Sequence, residues 1–107
     1  MRYSVIIAAQ AKKDIRNIHE YITLELLSPF NADEWFRRIE KDIKSLSYMP
    51  LRHKVYEEEP WKQQGLRMML SCKFVVLYYA DKTAKTATVI RVMYGGRDIP
   101  RQLSGEI

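Results

Sequence analysis

Hydrophobic and polar positions change period several times along this chain, and each change marks an element. Tyr3 to Ile7 crowds aromatic and β-branched residues into a short run, the pattern of a strand. From about Gln10, Ala11, Ile15, Ile18, Ile22 and Leu26 recur at three- and four-residue steps, while Lys12, Lys13, Arg16, Asn17 and Glu20 fill the other side. That spacing predicts an amphipathic helix. Ser28-Pro29 interrupts it, and Ala32, Trp35, Phe36, Ile39, Ile43 and Leu46 mark the buried stripe of a second helix, which Met49-Pro50 ends. Its start has two readings. Asn31 can cap with Glu34 as reciprocal partner, or Ser28 can cap with Pro29 in the first position. Arg16/Glu20, Glu34/Arg38 and Glu40/Lys44 are the expected outward pairs. A short link between two long helices makes an antiparallel hairpin.

Met49 to Gly65 reads as an irregular connection. Three strands follow, Leu66–Leu70, Phe74–Ala80 and Thr86–Tyr94, joined by hairpin-length links into an antiparallel meander. Gly95-Gly96 stops the last strand, and Asp98 to Leu103 is a short tail. The class is therefore α+β, ordered β-α-α-β-β-β, with the helix hairpin on one face of a four-stranded, mainly antiparallel sheet. One domain over residues 1–107 is expected, since this length leaves no room for a second core. Ile15, Ile18, Ile22, Trp35, Phe36, Ile39 and Ile43 are the predicted core, and the first strand should pair with the C-terminal part of the meander.

Strict alternation in the last strand puts Thr88, Ile90, Val92 and Tyr94 on one side and Ala87, Val89, Arg91 and Met93 on the other. Arginine is almost never fully buried unless paired, so the Arg91 side should be the open face, shared by Arg67 and Met69. Such a face is apolar enough to want a cover.

Charge sharpens the picture. Lys and Arg outnumber Asp and Glu by 18 to 13, a net +5 that favours polyanions or an acidic protein. With 47% hydrophobic residues the chain should fold without a partner. Cys72 is the only cysteine, which precludes an internal disulfide. No apolar run reaches signal or membrane-spanning length, so a cytoplasmic location and no membrane partner are expected.

Few residues suggest catalysis. His19, His53 and Cys72 do not form a metal-ligand spacing, and neither metal nor cofactor is expected. His53 with Glu57-Glu58-Glu59 mimics an acid cluster, but such a run is ordinarily a solvated loop. Tyr94-Gly95-Gly96-Arg97 ends a strand without a long helix after it, so it is no phosphate loop. Cys72, beside Lys73 in a turn, lacks a histidine partner. The basic set is more suggestive. Arg67, Lys73, Arg91, Arg97 and Arg101 fall in the sheet half or tail, and guanidinium forks fit phosphate and carboxylate oxygens. Tyr78, Tyr79 and Tyr94 supply rings that can stack or carry a proton; Tyr78 and Tyr79 also read as ordinary strand residues, one in and one out, and for Tyr79 that plainer reading is favoured.

The order β-α-α-β-β-β, with Ala11-Lys12-Lys13-Asp14-Ile15…Ile18…Tyr21-Ile22 in the first helix, resembles the RelE/ParE superfamily of toxins. The closing segment Val89-Ile90-Arg91-Val92-Met93-Tyr94-Gly95-Gly96-Arg97-Asp98 is the more specific match, and Leu46…Met49-Pro50 and Gly65-Leu66-Arg67 fall at comparable places. The resemblance covers about Tyr3 to Leu103. It implies the toxin of a type II toxin–antitoxin pair, also described as a plasmid stabilisation protein, held by an acidic antitoxin encoded in an adjacent reading frame. That antitoxin is expected on the open sheet face, its acids pairing with Arg67, Arg91, Arg97 or Arg101. The RelE branch cleaves messenger RNA in the ribosome with basic residues on the central strands, whereas the ParE branch poisons DNA gyrase. Here the central strands carry one basic residue, Arg67. The resemblance therefore favours a ParE-like gyrase inhibitor without chemistry of its own. If the chain is instead a ribosome-dependent endoribonuclease, Arg97 and Tyr94 are its catalytic candidates. A non-toxic nucleic-acid- or protein-binding member of the family is a third reading.

Overall fold

Val5 and Ile7 face the helices while Ser4 and Ile6 face away, so β1 (Ser4–Ile7) is a short period-two strand. The computed structural model describes residues 2–25, 27, 29–95 and 99–103. After β1 the chain turns into α1 (Ala9–Glu20), which runs on as a single π-helical turn, Tyr21–Glu25. α2 (Pro29–Lys44) begins at the proline, as the second of the two readings requires, so Asn31 lies inside the helix instead of capping it. A proline in the first turn forfeits no intrahelical hydrogen bond, which is why the helix can start there. Short 3-10 turns follow at Ser45–Ser47 and Pro50–Arg52, then α3 (Trp61–Gln64) inside the irregular connection.

β2 (Arg67–Ser71), β3 (Phe74–Asp81) and β4 (Thr86–Tyr94) form the meander. The sheet order is β1-β4-β3-β2, with β1 parallel to β4 and the other pairs antiparallel. The segment read as a tail closes in a helical turn, α4 (Ile99–Leu103).

The hairpin's apolar stripe lies against one sheet face. Ala32, Trp35, Ile39, Ile43 and Leu46 are buried; of these Trp35, Ile39, Ile43 and Leu46 pack with Ala11, Met69, Val76, Tyr78, Ala87, Val89 and Val92, and Ile15, Ile18 and Ile22 close around them half-buried. Phe36 departs from expectation and is 41% exposed. The stripe of α2 is centred on Trp35, so Phe36, about 100° further round, points past the sheet to the rim of α1 and meets His19 edge-on at 6.1 Å. His19 Nε2 also lies 3.0 Å from Asp33 Oδ1, a second tie across the hairpin. The outward pairing differs too: Arg37 takes Glu34, and Arg38 reaches Asp42 at 3.5 Å.

The opposite sheet face is not open. Leu66, Val75, Leu77 and Met93 are buried there beneath Tyr56 of the connection and Ile99 of α4, with Trp61, Met68, Tyr79, Ile90 and Leu103 packed around. Tyr78 and Tyr79 point in opposite directions, as alternation requires. Alternation fails in β4. Leu77 pairs with Arg91 but Tyr78 pairs with Val89, so Ile90 is an extra residue in a β-bulge. The bulge keeps Ala87, Val89 and Val92 all on the helix side. Met69 is also on the helix side, which corrects the assignment of Met69, Arg67 and Arg91 to a shared open face.

Candidate functional site

Two clusters of charged and aromatic side chains stand out, one against β4 and one against β2 and β3. The first is built on Asp14. Ala11 is fully buried against β4, and its small side chain lets α1 come close. Ala8 N–H donates to the Val89 carbonyl at 2.9 Å, carrying the β1–β4 pairing into the start of the helix. One turn later Asp14 meets the strand just past the bulge. Its Oδ2 accepts from Arg91 Nε at 2.7 Å and from the Val92 backbone N–H at 3.0 Å. Its Oδ1 accepts from Arg91 Nη2 at 3.1 Å and from Gln10 Nε2 at 3.0 Å. The side chains are 8% and 17% exposed, so this is a bidentate, largely desolvated pair.

Beyond the pair opens a cleft of about 680 Å³, lined by Asp14, Asn17, Ile18 and Tyr21 of the helical side and Phe74, Arg91 and Tyr94 of the sheet. An aromatic series leads into it from the core. Trp35 and Phe74 lie 5.3 Å apart between ring centres, and Phe74 meets Tyr94 edge-on at 5.8 Å. Tyr94 is 46% exposed.

The second cluster surrounds the 3-10 turn at Pro50–Arg52. Met49 enters this turn with a left-handed backbone, φ 52°. Arg52 Nη1 donates to the carbonyls of Ser45, Tyr48 and Met49, pinning the turn. Arg67 Nη1 donates to the carbonyls of His53 at 2.6 Å and Leu51 at 3.3 Å. Tyr78 Oη donates to the Pro50 carbonyl, and its ring faces His53 edge-on at 6.2 Å. Burial pushes the Tyr78 phenol up to about 12, against a smaller opposing effect of Arg67 and Arg52. Burial also lowers the His53 imidazole, helped by the positive charges of Arg52 and Arg67. His53 Nε2 is buried with no hydrogen-bond partner. A proton there would find cations and no acceptor, so the ring is held neutral.

The sequence candidates are thus dispersed. Arg91 and Tyr94 share the Asp14 cleft, Arg67 braces the Pro50–Arg52 turn, and Arg101 is exposed on α4. Arg97 lies outside the described residues. Asp14 is the residue that sequence reasoning missed; its partner is 77 positions away, and no local spacing signals the pairing. The acidic run serves the connection instead: Glu57 pairs with Lys62 at 3.4 Å, and Glu59 Oε1 accepts from the Gln63 N–H at 3.3 Å. Among the described residues no group of three or more His, Cys, Asp or Glu side chains is placed to hold a metal ion. No described helix is long and apolar enough to cross a membrane.

The family model for the ParE toxin of type II toxin–antitoxin systems, parDE, matches residues 5–99. The chain belongs to the ParE toxin family. Solved structures similar to this ParE-family chain agree with its architecture. The chromosomal ParDE toxin–antitoxin system from P. aeruginosa superposes with a TM-score of 0.68 at 18% identity, covering 87% of this chain and 96% of that one. The RelBE2 toxin–antitoxin complex from Mycobacterium tuberculosis gives 0.61 at 21% identity, covering 88% and 99%. The archaeal RelE–RelB complex from Pyrococcus horikoshii gives 0.55 at 18%, covering 91% and 99%. At these identities the likeness is one of fold. No curated protein matches the sequence.

Proposed function

We propose that this ParE-family toxin arrests growth by binding DNA gyrase, without cleaving RNA, and that a cognate acidic antitoxin holds it inactive. One observation carries this reading: the guanidinium groups on the sheet are engaged inside the fold. Arg91 is matched by Asp14 and Arg67 by two backbone carbonyls. A metal-free ribonuclease must aim unneutralised cations at the scissile phosphate beside a group that moves a proton. In the Asp14 cleft Tyr94 can move a proton, but the cation beside it already carries its counter-charge. A surface of rings around an internally neutral ion pair supports protein recognition better than phosphate chemistry.

Two assays run side by side test this. Purified toxin should inhibit gyrase supercoiling, and primer extension on messenger RNA after induction should reveal no codon-periodic cuts. If cuts do appear and vanish in Arg97→Ala, the protein is an endoribonuclease. Arg97 would then stabilise charge on the phosphate, and its loss should slow cleavage by about a hundredfold or more.

A further inference from the structure

β1 and β4 begin side by side, and the chain leaving α2 returns to the same corner. Ser4 N–H donates to the Lys85 carbonyl at 2.8 Å, Tyr3 N–H donates to the Ser47 carbonyl at 2.8 Å, and Arg2 bridges Tyr48 in an antiparallel pair. Four exposed cations belong to these segments: Arg2, Lys44 from the last turn of α2, and Lys82 and Lys85 from the turn between β3 and β4. Among the described residues the ion pairs lie between α1 and α2, along α2, at Lys62–Glu57 and at Arg91–Asp14, and none takes one of these four cations. Asp81, beside Lys82 in sequence, is turned back onto the loop, where its Oδ1 accepts the N–H groups of Thr83 at 2.9 Å and Ala84 at 3.0 Å. Rings lie among the charges. Lys85 Nζ sits 5.5 Å from the centre of the Tyr3 ring, and Tyr48 is 59% exposed. Lys85 holds its place with a left-handed backbone, φ 58°, which glycine would adopt without steric penalty. A strained residue kept at the surface with its charge free points to a use for that charge.

We infer that this corner lies against the phosphate backbone of the duplex DNA on which gyrase acts. The inference rests on the gyrase reading above and adds a second contact to it: the toxin touches the DNA as well as the enzyme. The chemistry of the corner selects the partner. Protein interfaces are depleted in lysine and are built around a desolvated centre poor in charge. Here Lys44, Lys82 and Lys85 stand in solvent with Arg2, beside the exposed ring of Tyr48. Phosphate oxygens are bound by such lysine and arginine charges and by tyrosine hydroxyls, with no demand for an apolar centre. The Asp14 cleft lies at the other end of β4, at Val92 to Tyr94. DNA here and a protein partner there therefore occupy opposite ends of one strand.

The test titrates the full toxin against a labelled, mixed-sequence DNA duplex at several salt concentrations. About four phosphate contacts release a matching number of counterions, so affinity should fall by about a hundredfold between about 50 and 200 mM salt. Lys44→Gln and Lys82→Gln each remove one contact, and each should flatten the slope of log affinity against log salt by about one. Lys73→Gln removes the same charge from the turn before β3, beside Gly95 at the far end of the sheet, and should leave the slope unchanged. If all three variants alter the slope equally, or none does, the corner is not the contact. Tighter binding to single-stranded RNA of the same sequence would also overturn the inference. Either result, with supercoiling still inhibited by the same preparation, would leave the gyrase reading standing. DNA binding through Lys44 and Lys82 with supercoiling untouched would overturn the gyrase reading and, with it, the placement beside that enzyme.

Discussion

Asp14 and Arg91, 77 residues apart, form a bidentate pair in which the carboxylate also accepts the Val92 N–H at 3.0 Å. The carboxylate thus does two jobs: it neutralises the arginine and it satisfies a buried backbone donor of β4. Both partners are mostly desolvated, so removing one leaves the other charge stranded. Asp14→Ala should lower the unfolding free energy by about 3–5 kcal/mol. The double variant Asp14→Ala/Arg91→Met should lose less than the sum of the single losses. Urea denaturation of the four proteins measures this, and additive losses would show the pair to be uncoupled.

Tyr78 anchors the irregular connection to the sheet through the Pro50 carbonyl. Tyr78→Phe keeps the ring in the core and strands that carbonyl, at a cost of about 1–3 kcal/mol. Spectrophotometric titration gives an independent check. One phenol should ionise only near pH 12, after the ordinary tyrosines.

His53 makes stability depend on mild acid. Its folded pKa lies below the ordinary value of 6.5, so the unfolded chain takes up a proton that the folded one refuses. The stabilisation is complete above the unfolded value and is lost as pH falls through 6.5 toward the lower folded value. Thermal unfolding between about pH 7.5 and 5.5 should show a falling midpoint that His53→Asn flattens. An unchanged slope in the variant would assign the pH dependence to another group.

Met49 holds a left-handed conformation with an exposed side chain. A non-glycine residue in that region carries a steric penalty, so Met49→Gly should stabilise the protein by about 1 kcal/mol, less the extra chain entropy of glycine. A calorimetric midpoint that falls in the variant would show that Met49 contributes packing outweighing the relief.

Helices and strands were legible because their burial follows period. Trp35, Ile39 and Ile43 recur every four residues and are buried, and the strands of the meander lie within a residue of the expected limits. What period does not encode is a change of phase. Unbroken alternation groups Arg91 with Val89 and Met93, and the charge of Arg91 marks that side as open. In the structure Val89 faces the helices, Met93 the opposite layer, and Arg91 is met by Asp14. Arg67 was misplaced for a related reason. Its exposure was inferred from charge, yet two backbone carbonyls of the Pro50–Arg52 turn and its end satisfy the guanidinium without any acid partner. The candidate site was half legible. Arg91 and Tyr94 do share one cleft, but the residues across from them, Asp14, Asn17 and Tyr21, belong to a helix face that looks merely polar in one dimension.

The extra residue at Ile90 makes β4 a strand of two grammars. Up to Val89 the odd numbers face the helices, and from Val92 the even numbers do. A related sequence aligned without a gap at this point would have its last four strand residues assigned to the wrong sides, though every residue matched in type. Shortening the strand by one position there would reunite the two halves into a single parity. Arg91 and Val92 would keep their sides, because the lost residue is the one that interrupts the alternation.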